Sequence, residues 1–195
     1  EFLYDIPGKE LIGAKAYNLC LLRKENFPIP SFHIFSNGDL ENYEENVITI
    51  KNYIDQLSSD NFYAVRSSAI SEDGKEHSFA GQFSTVLFVH KKDLLVEIFN
   101  VYNSTKSNHV NRYKTFHQIE ETLKISVIVQ EMIHSDISGV AFGVDPMSLN
   151  PKTKVINAIY GQGEALVSGK YDSDFYSITD QKIHSKIVNK PFQIV

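Results

Sequence analysis

Two cations in this chain stand where an anion would find them. Lys15 follows a glycine near the start of a helix, in the run Ile12-Gly13-Ala14-Lys15-Ala16-Tyr17-Asn18-Leu19. A helix N-terminus offers unpaired N–H groups and a partial positive charge, and a lysine adds a full one, a combination that suits phosphate. The run lacks the two spaced glycines and Lys-Ser/Thr of a P-loop, so a solvated surface lysine competes with this reading. Arg66 ends an apolar strand, Tyr63-Ala64-Val65-Arg66, and leads into Ser67-Ser68-Ala69-Ile70-Ser71-Glu72-Asp73-Gly74. A guanidinium is costly to bury without an anionic partner, and its planar fork matches phosphate oxygens in pairs. The N–H groups and hydroxyls of the Ser/Gly-rich stretch after it could cover a polyphosphate. A structural carboxylate beside Arg66 would satisfy it equally well.

Two further segments interrupt apolar runs. Gln130 and Glu131 stand in Val127-Ile128-Val129-Gln130-Glu131-Met132-Ile133, where a polar pair either lines a site or marks a strand end facing solvent. Tyr160-Gly161-Gln162-Gly163-Glu164 to Gly169 is glycine-rich, which permits close backbone approach to a ligand or to another segment.

The elements that must position these residues follow from periodicity. Apolar spacing predicts a helix over 10–24, ended by Pro28 and Pro30, then a short strand over 31–35. One helix is expected over 39–56, a strand over 62–66, a polar loop over 67–82 and a strand over 83–89. A helix carries Leu94, Leu95, Ile98, Val101 and Tyr102, and a weaker one runs to about Leu123. Strands are expected over 125–132, 138–144, 154–160, 173–178 and 182–188. The fold class is α+β, a mixed α/β arrangement of two lobes, with residues 1–124 as the first and 125–195 as the second.

Composition narrows the class. The 195 residues are 42% hydrophobic and 22% charged, as in an ordinary globular protein. The net charge of −5 argues against a nucleic-acid partner, which calls for a basic surplus. No run is long and apolar enough to span a bilayer, and the single cysteine, Cys20, reads as a small buried hydrophobe in a reducing compartment. A cytoplasmic location without membrane partner is the expectation. None of the seven histidines pairs at zinc-ligand spacing, and no metal ligand is assigned.

Across nearly the whole chain these segments resemble the N-terminal nucleotide-binding domain of phosphoenolpyruvate synthase and pyruvate phosphate dikinase, shared with rifamycin phosphotransferases and glucan, water dikinases. Val65-Arg66-Ser67-Ser68 with Ser78-Phe79-Ala80-Gly81-Gln82 is the most specific match, followed by Gln130-Glu131-Met132, Ser138-Gly139-Val140 and Asp145-Pro146. The resemblance implies an ATP-grasp-like fold with the nucleotide between two lobes. It implies that Lys15 and Arg66 contact the ATP phosphates, that Gly81 and Thr85 sit in the loop covering them, and that Gln130 and the backbone of Glu131 to Ile133 face adenine. It further implies that ATP phosphorylates a histidine on a separate swivelling domain, with water or phosphate taking the other phosphoryl group and AMP released. An acceptor domain then passes the phosphate to a substrate such as pyruvate, or to an antibiotic in the rifamycin-type case. A non-catalytic ATP-binding module is the alternative.

Departures from the family pattern are local. Ala14 replaces a second glycine, Ser173 replaces a proline, and the stretch between Lys15 and Arg66 is short. The resemblance places the Mg²⁺ ligands and the phosphorylated histidine outside this chain. The second lobe is therefore expected to be incomplete at its C-terminal end, and the chain alone inactive.

Overall fold

The computed structural model describes residues 6–70, 84–106, 124–169, 171–180 and 182–190. They form a mixed α/β structure with two four-stranded antiparallel sheets. The chain divides into two compact units, residues 1–132 and 133–195.

The first unit opens with α1 (Lys9–Lys24), followed by β1 (Phe32–Phe35), α2 (Asn37–Glu41) and α3 (Tyr43–Asp55). Then come β2 (Phe62–Ala69), β3 (Thr85–His90), α4 (Leu94–Asn103) and β4 (Ile125–Glu131). The strands lie in the order β1-β4-β2-β3, so β4, last in sequence, is internal to the sheet. This pairing moves the boundary between the units. The sequence reading placed 125 onward in the second lobe, but β4 pairs with β1 and β2 and belongs to the first.

Alternation along the strands makes two cores of different size. One sheet face packs against α3 and α4, burying Val65, Ile98, Val101, Val127 and Val129 with nine further apolar side chains. The other face packs against α1 through a smaller cluster of Ile12, Ala16, Phe32 and Ile128. Arg23 and Lys24 complement the dipole in the last turn of α1. The Arg23 guanidinium stacks 3.7 Å over the Phe32 ring and donates to the Phe32 carbonyl at 3.1 Å.

Three departures from sequence expectation have local causes. The single helix expected over 39–56 is two helices, because Asn42 breaks the run with φ −97° and ψ 47° while its side-chain amide donates to the Gly38 carbonyl at 3.3 Å. Ser36 starts α2 with a reciprocal capping box to Asp39. The second departure is that β2 runs to Ala69 rather than ending at Arg66: the pairing with β4 continues through Ser67↔Val127 and Ser68↔Ser126. Those two serines are buried in the sheet rather than lying in a loop. The third is a bulge in β3, where the register with β2 shifts between Tyr63 and Val65 and Phe88 takes φ 57°. The expected helix reaching Leu123, beyond the short turn at Ser104–Lys106, lies outside the described residues.

The second unit is a meander of β5 (Ile137–Phe142), β6 (Thr153–Tyr160), β7 (Asp174–Thr179) and β8 (Lys182–Lys186). One helical turn, α5 (Glu164–Val167), follows β6 within the stretch read as a glycine-rich loop, flanked by Gly161 at φ 76° and Gly169 at φ 67°. Among the described residues its buried apolar side chains are Val155, Ile159 and Ala165. The Lys190 ammonium pairs with the Asp174 carboxylate, with the two side chains 5% and 13% exposed. Asp174 also accepts from the Val188 N–H at 3.0 Å. No helix among the described residues is long and apolar enough to cross a membrane.

Two outcomes follow from this packing. Ile98→Ala, at a position with no exposure, is expected to cost roughly 2–5 kcal/mol in urea unfolding, whereas Ile183→Ala on the exposed β8 should stay within about 0.5 kcal/mol. The hydrogen bond from Lys190, then that from Val188, holds the Asp174 carboxyl below its ordinary range. The stability it contributes is therefore present above the ordinary aspartate value of about 3.9 and is lost as pH falls through the lower folded value. Asp174→Asn should unfold at lower temperature than the parent at pH 7, and the gap between the two melting curves should close in acid. A gap that persists unchanged to pH 2 would remove Asp174 from the acid response.

Candidate functional site

Strand alternation decides which candidate side chains meet. Arg66 pairs across β2–β4 with Ile128, and Gln130 lies two residues further along β4 on the same face. This diagonal is within reach of long side chains, and the Arg66 guanidinium donates to Gln130 Oε1 at 3.3 Å. Gln130 is only 8% exposed. A buried amide oxygen requires a donor, and Arg66 supplies one. That partner is neutral, so the contact orients the guanidinium without cancelling its charge. Thr85 stands directly opposite Arg66 in the β2–β3 register and is exposed. Arg66, Gln130 and Thr85 thus share one region of the face that α1 covers. Gly81 lies outside the described residues.

The turn of α1 that carries Lys15 packs on the same face. The helix is broken at Gly13, whose φ of 78° and ψ of 165° are not helical. That positive φ belongs to glycine, and the space demands it too, since a Cβ there would lie 2.5 Å from both the Ala69 carbonyl oxygen and Ser68 Oγ. The turn after the break carries Lys15, half-buried, and is tied to β2 by the Ala16 N–H, which donates to Ser68 Oγ at 3.0 Å. Arg66 is the preceding residue on that face of β2.

Glu131 behaves differently from its neighbour. Its side chain turns to the opposite face, where Asn61 Nδ2 donates to it at 2.6 Å. Burial, followed by the Glu131 carboxylate, pushes the nearby Tyr63 phenol above its usual range. The Glu131 N–H donates to the Ser31 carbonyl at 2.9 Å, and the Met132 N–H to Phe62 at 2.9 Å. These bonds fix the backbone just before Ile133, an exposed residue that begins the second unit.

Other features stand apart. A cleft of about 530 Å³ in the first unit opens where β2 finishes and β4 begins, beside Leu11, Ile34, Ile70 and Lys124, and none of the candidate residues lines it. Burial pushes the Cys20 thiol up, away from a reactive thiolate, and pushes His33 down. Among the described residues no group of three His, Cys, Asp or Glu side chains is placed to hold a metal ion, so no residue here is assigned to one. Sequence reasoning missed Ser68 and Ser126 as anchors of α1. The signal available was two hydroxyls interrupting apolar strands, since a buried hydroxyl needs a partner.

Comparison with known proteins bears on most of the chain. The model of the pyruvate phosphate dikinase AMP/ATP-binding domain matches residues 41–194. An uncharacterized phosphotransferase of Bacillus subtilis, YvkC, is 33% identical over 88% of this chain and 24% of its own length. A rifampicin phosphotransferase of Bacillus cereus is 33% identical over 73% of this chain and 17% of its own. A probable phosphoenolpyruvate synthase of Staphylothermus marinus is 39% identical over 63% and 16%. The chain thus spans about a quarter or less of the length of these relatives. It belongs to the pyruvate phosphate dikinase AMP/ATP-binding domain family.

Proposed function

We propose that this chain is the ATP-binding portion of a dikinase-type phosphotransferase, with an ATP-grasp-like mode of nucleotide binding. The observation that carries this reading is the shared face on which Arg66 meets Gln130 while the turn of α1 bearing Lys15 is tied to the same strand. Lys15 and Arg66 take the phosphates, with Gly81 and Thr85 in the segment that covers them. Gln130 and the backbone of Glu131 to Ile133 face adenine.

Such a site acts by binding and positioning. Phosphoryl transfer depends mainly on alignment and on neutralising charge over the transferred group, and two cations on one face supply both. Mg²⁺, when bound, would supply further positive charge against the phosphates, and no residue described here is assigned to hold it. The phosphoryl acceptor is a histidine on a swivelling domain, with AMP released and the phosphate carried onward to an acceptor such as pyruvate. Relatives named as rifampicin phosphotransferases, 33% and 35% identical over 73% and 76% of this chain, favour an antibiotic hydroxyl as the second reading of that acceptor. Incubation of a polypeptide that joins this chain to its swivelling and acceptor domains with labelled ATP and each acceptor in turn separates the two by which one raises AMP release.

The phosphate assignment is tested by calorimetric titration with ATP. Arg66→Ala should lose about 1.5–3 kcal/mol of binding, the range for a charge-assisted hydrogen bond. Arg66→Lys should lose nearly as much, because the fork is gone. Unchanged affinity in Arg66→Ala would refute the assignment. Adenine selectivity is expected to come from the backbone, so Glu131→Gln should leave the ATP/GTP preference within about twofold while Ile133→Pro, which deletes an N–H, abolishes it. Equal binding of ATP and GTP by the parent protein would count against the adenine edge.

A further inference from the structure

A helix broken in its interior leaves carbonyls without donors on one side of the break and N–H groups without acceptors on the other. The break at Gly13 is covered by α1's neighbours in the sheet, and two serines meet it. Ser68 and Ser126 are directly opposite in the β2–β4 register, and neither has any exposure. Ser126 Oγ donates to the Leu11 carbonyl, before the break, at 3.4 Å. Ser68 Oγ accepts from the Ala16 N–H, after the break, at 3.0 Å. Gly13 packs so closely on Ser68 that no side chain fits between them. The turn carrying Lys15 is thereby referenced to one residue of β2, and the preceding residue on that face of the same strand is Arg66.

We propose that Ser68 is a positioning residue for ATP binding, setting the register of the Lys15 turn against Arg66 so that both cations address one phosphate chain. The proposal rests on the reading of Lys15 and Arg66 as phosphate ligands. Ser68 touches no phosphate in this scheme and acts through α1 alone. A strand fixes its alternate side chains about 6.6 Å apart, so the residue that anchors the turn stands at a set distance from Arg66. Without the hydroxyl, the Ala16 N–H is buried and unsatisfied, and the turn regains its bond only by moving, which displaces Lys15.

The experiment is a set of ATP titrations on the protein with Ser68→Ala, Lys15→Ala, Arg66→Ala and the two double variants that contain Ser68→Ala. Ser68→Ala is expected to weaken ATP binding about tenfold, in line with loss of a buried acceptor. In the Lys15→Ala background it should add less than about twofold, since residues acting through one another are not additive. In the Arg66→Ala background the whole tenfold loss should persist. Amide hydrogen exchange at Ala16 should rise in Ser68→Ala. Ser68→Cys, which keeps a weak acceptor of similar size, should recover part of the affinity, and it carries the same cycle if Ser68→Ala does not fold. An equal loss in both backgrounds, or no loss in the parent, overturns the positioning role while leaving the phosphate assignment standing. Parent-like ATP binding by both Lys15→Ala and Arg66→Ala overturns that assignment and this proposal with it.

Discussion

A strand buried on both faces tolerates a polar side chain only where that side chain finds a partner, and β4 is such a strand. Six of its seven residues, Ile125 to Gln130, are buried. Ile125, Val127 and Val129 feed the larger core with α3 and α4. Ser126, Ile128 and Gln130 face α1, and two of these three are polar. Each is answered by a group of the same unit, Ser126 by the Leu11 carbonyl and Gln130 by Arg66. The buried polarity of β4 is thus confined to one face, with Glu131 on the other at the strand's less buried end, and the candidate site lies on the α1 face.

The two faces are held in different ways. The α3/α4 side gathers fourteen buried apolar or aromatic side chains in one cluster, so close packing secures the sheet there. The α1 side buries four apolar residues and relies on directional bonds from Ser68, Ser126 and Arg66. Hydrogen bonds specify geometry more sharply than they contribute net stability. A side chain that must keep a fixed orientation gains more from such bonds than from further apolar packing.

The legibility of these elements in sequence follows the same division. The helix over 10–24 and the strands at 125–132 and 154–160 show as apolar periodicity, because their packing is apolar, and the structure has them at Lys9–Lys24, Ile125–Glu131 and Thr153–Tyr160. The extension of β2 through Ser67 and Ser68 was hidden, because two serines before a Ser/Gly-rich stretch carry loop propensity and only pairing with β4 overrides it. The split at Asn42 was hidden for the opposite reason: the apolar stripe continues across it while one side-chain amide bonds back to Gly38. The boundary after Met132 depends on which strands β4 joins, a long-range pairing that no local pattern encodes. Lys15 and Arg66 were visible as candidates from residue type. Their linkage through Ser68 Oγ was not, since it joins residues 52 positions apart.

Register carries the chemistry of this face. Side chains alternate along a strand, so a slip of one residue would exchange Gln130 for Glu131. A carboxylate would then meet Arg66 and cancel the charge that the neutral Gln130 leaves in place. Several bonds oppose that slip at the end of β4: Glu131 N–H to Ser31, Met132 N–H to Phe62, and the Phe88 N–H to the Met132 sulfur at 3.1 Å. The last comes from the residue at positive φ in the bulge of β3, and a non-glycine residue holds that conformation only where its surroundings compensate the strain. The bulge inserts its extra residue between the Tyr63↔Val89 and Val65↔Val86 pairs, and past it Arg66 faces Thr85. One irregularity in β3 therefore anchors the end of β4 and sets which residue stands opposite the guanidinium.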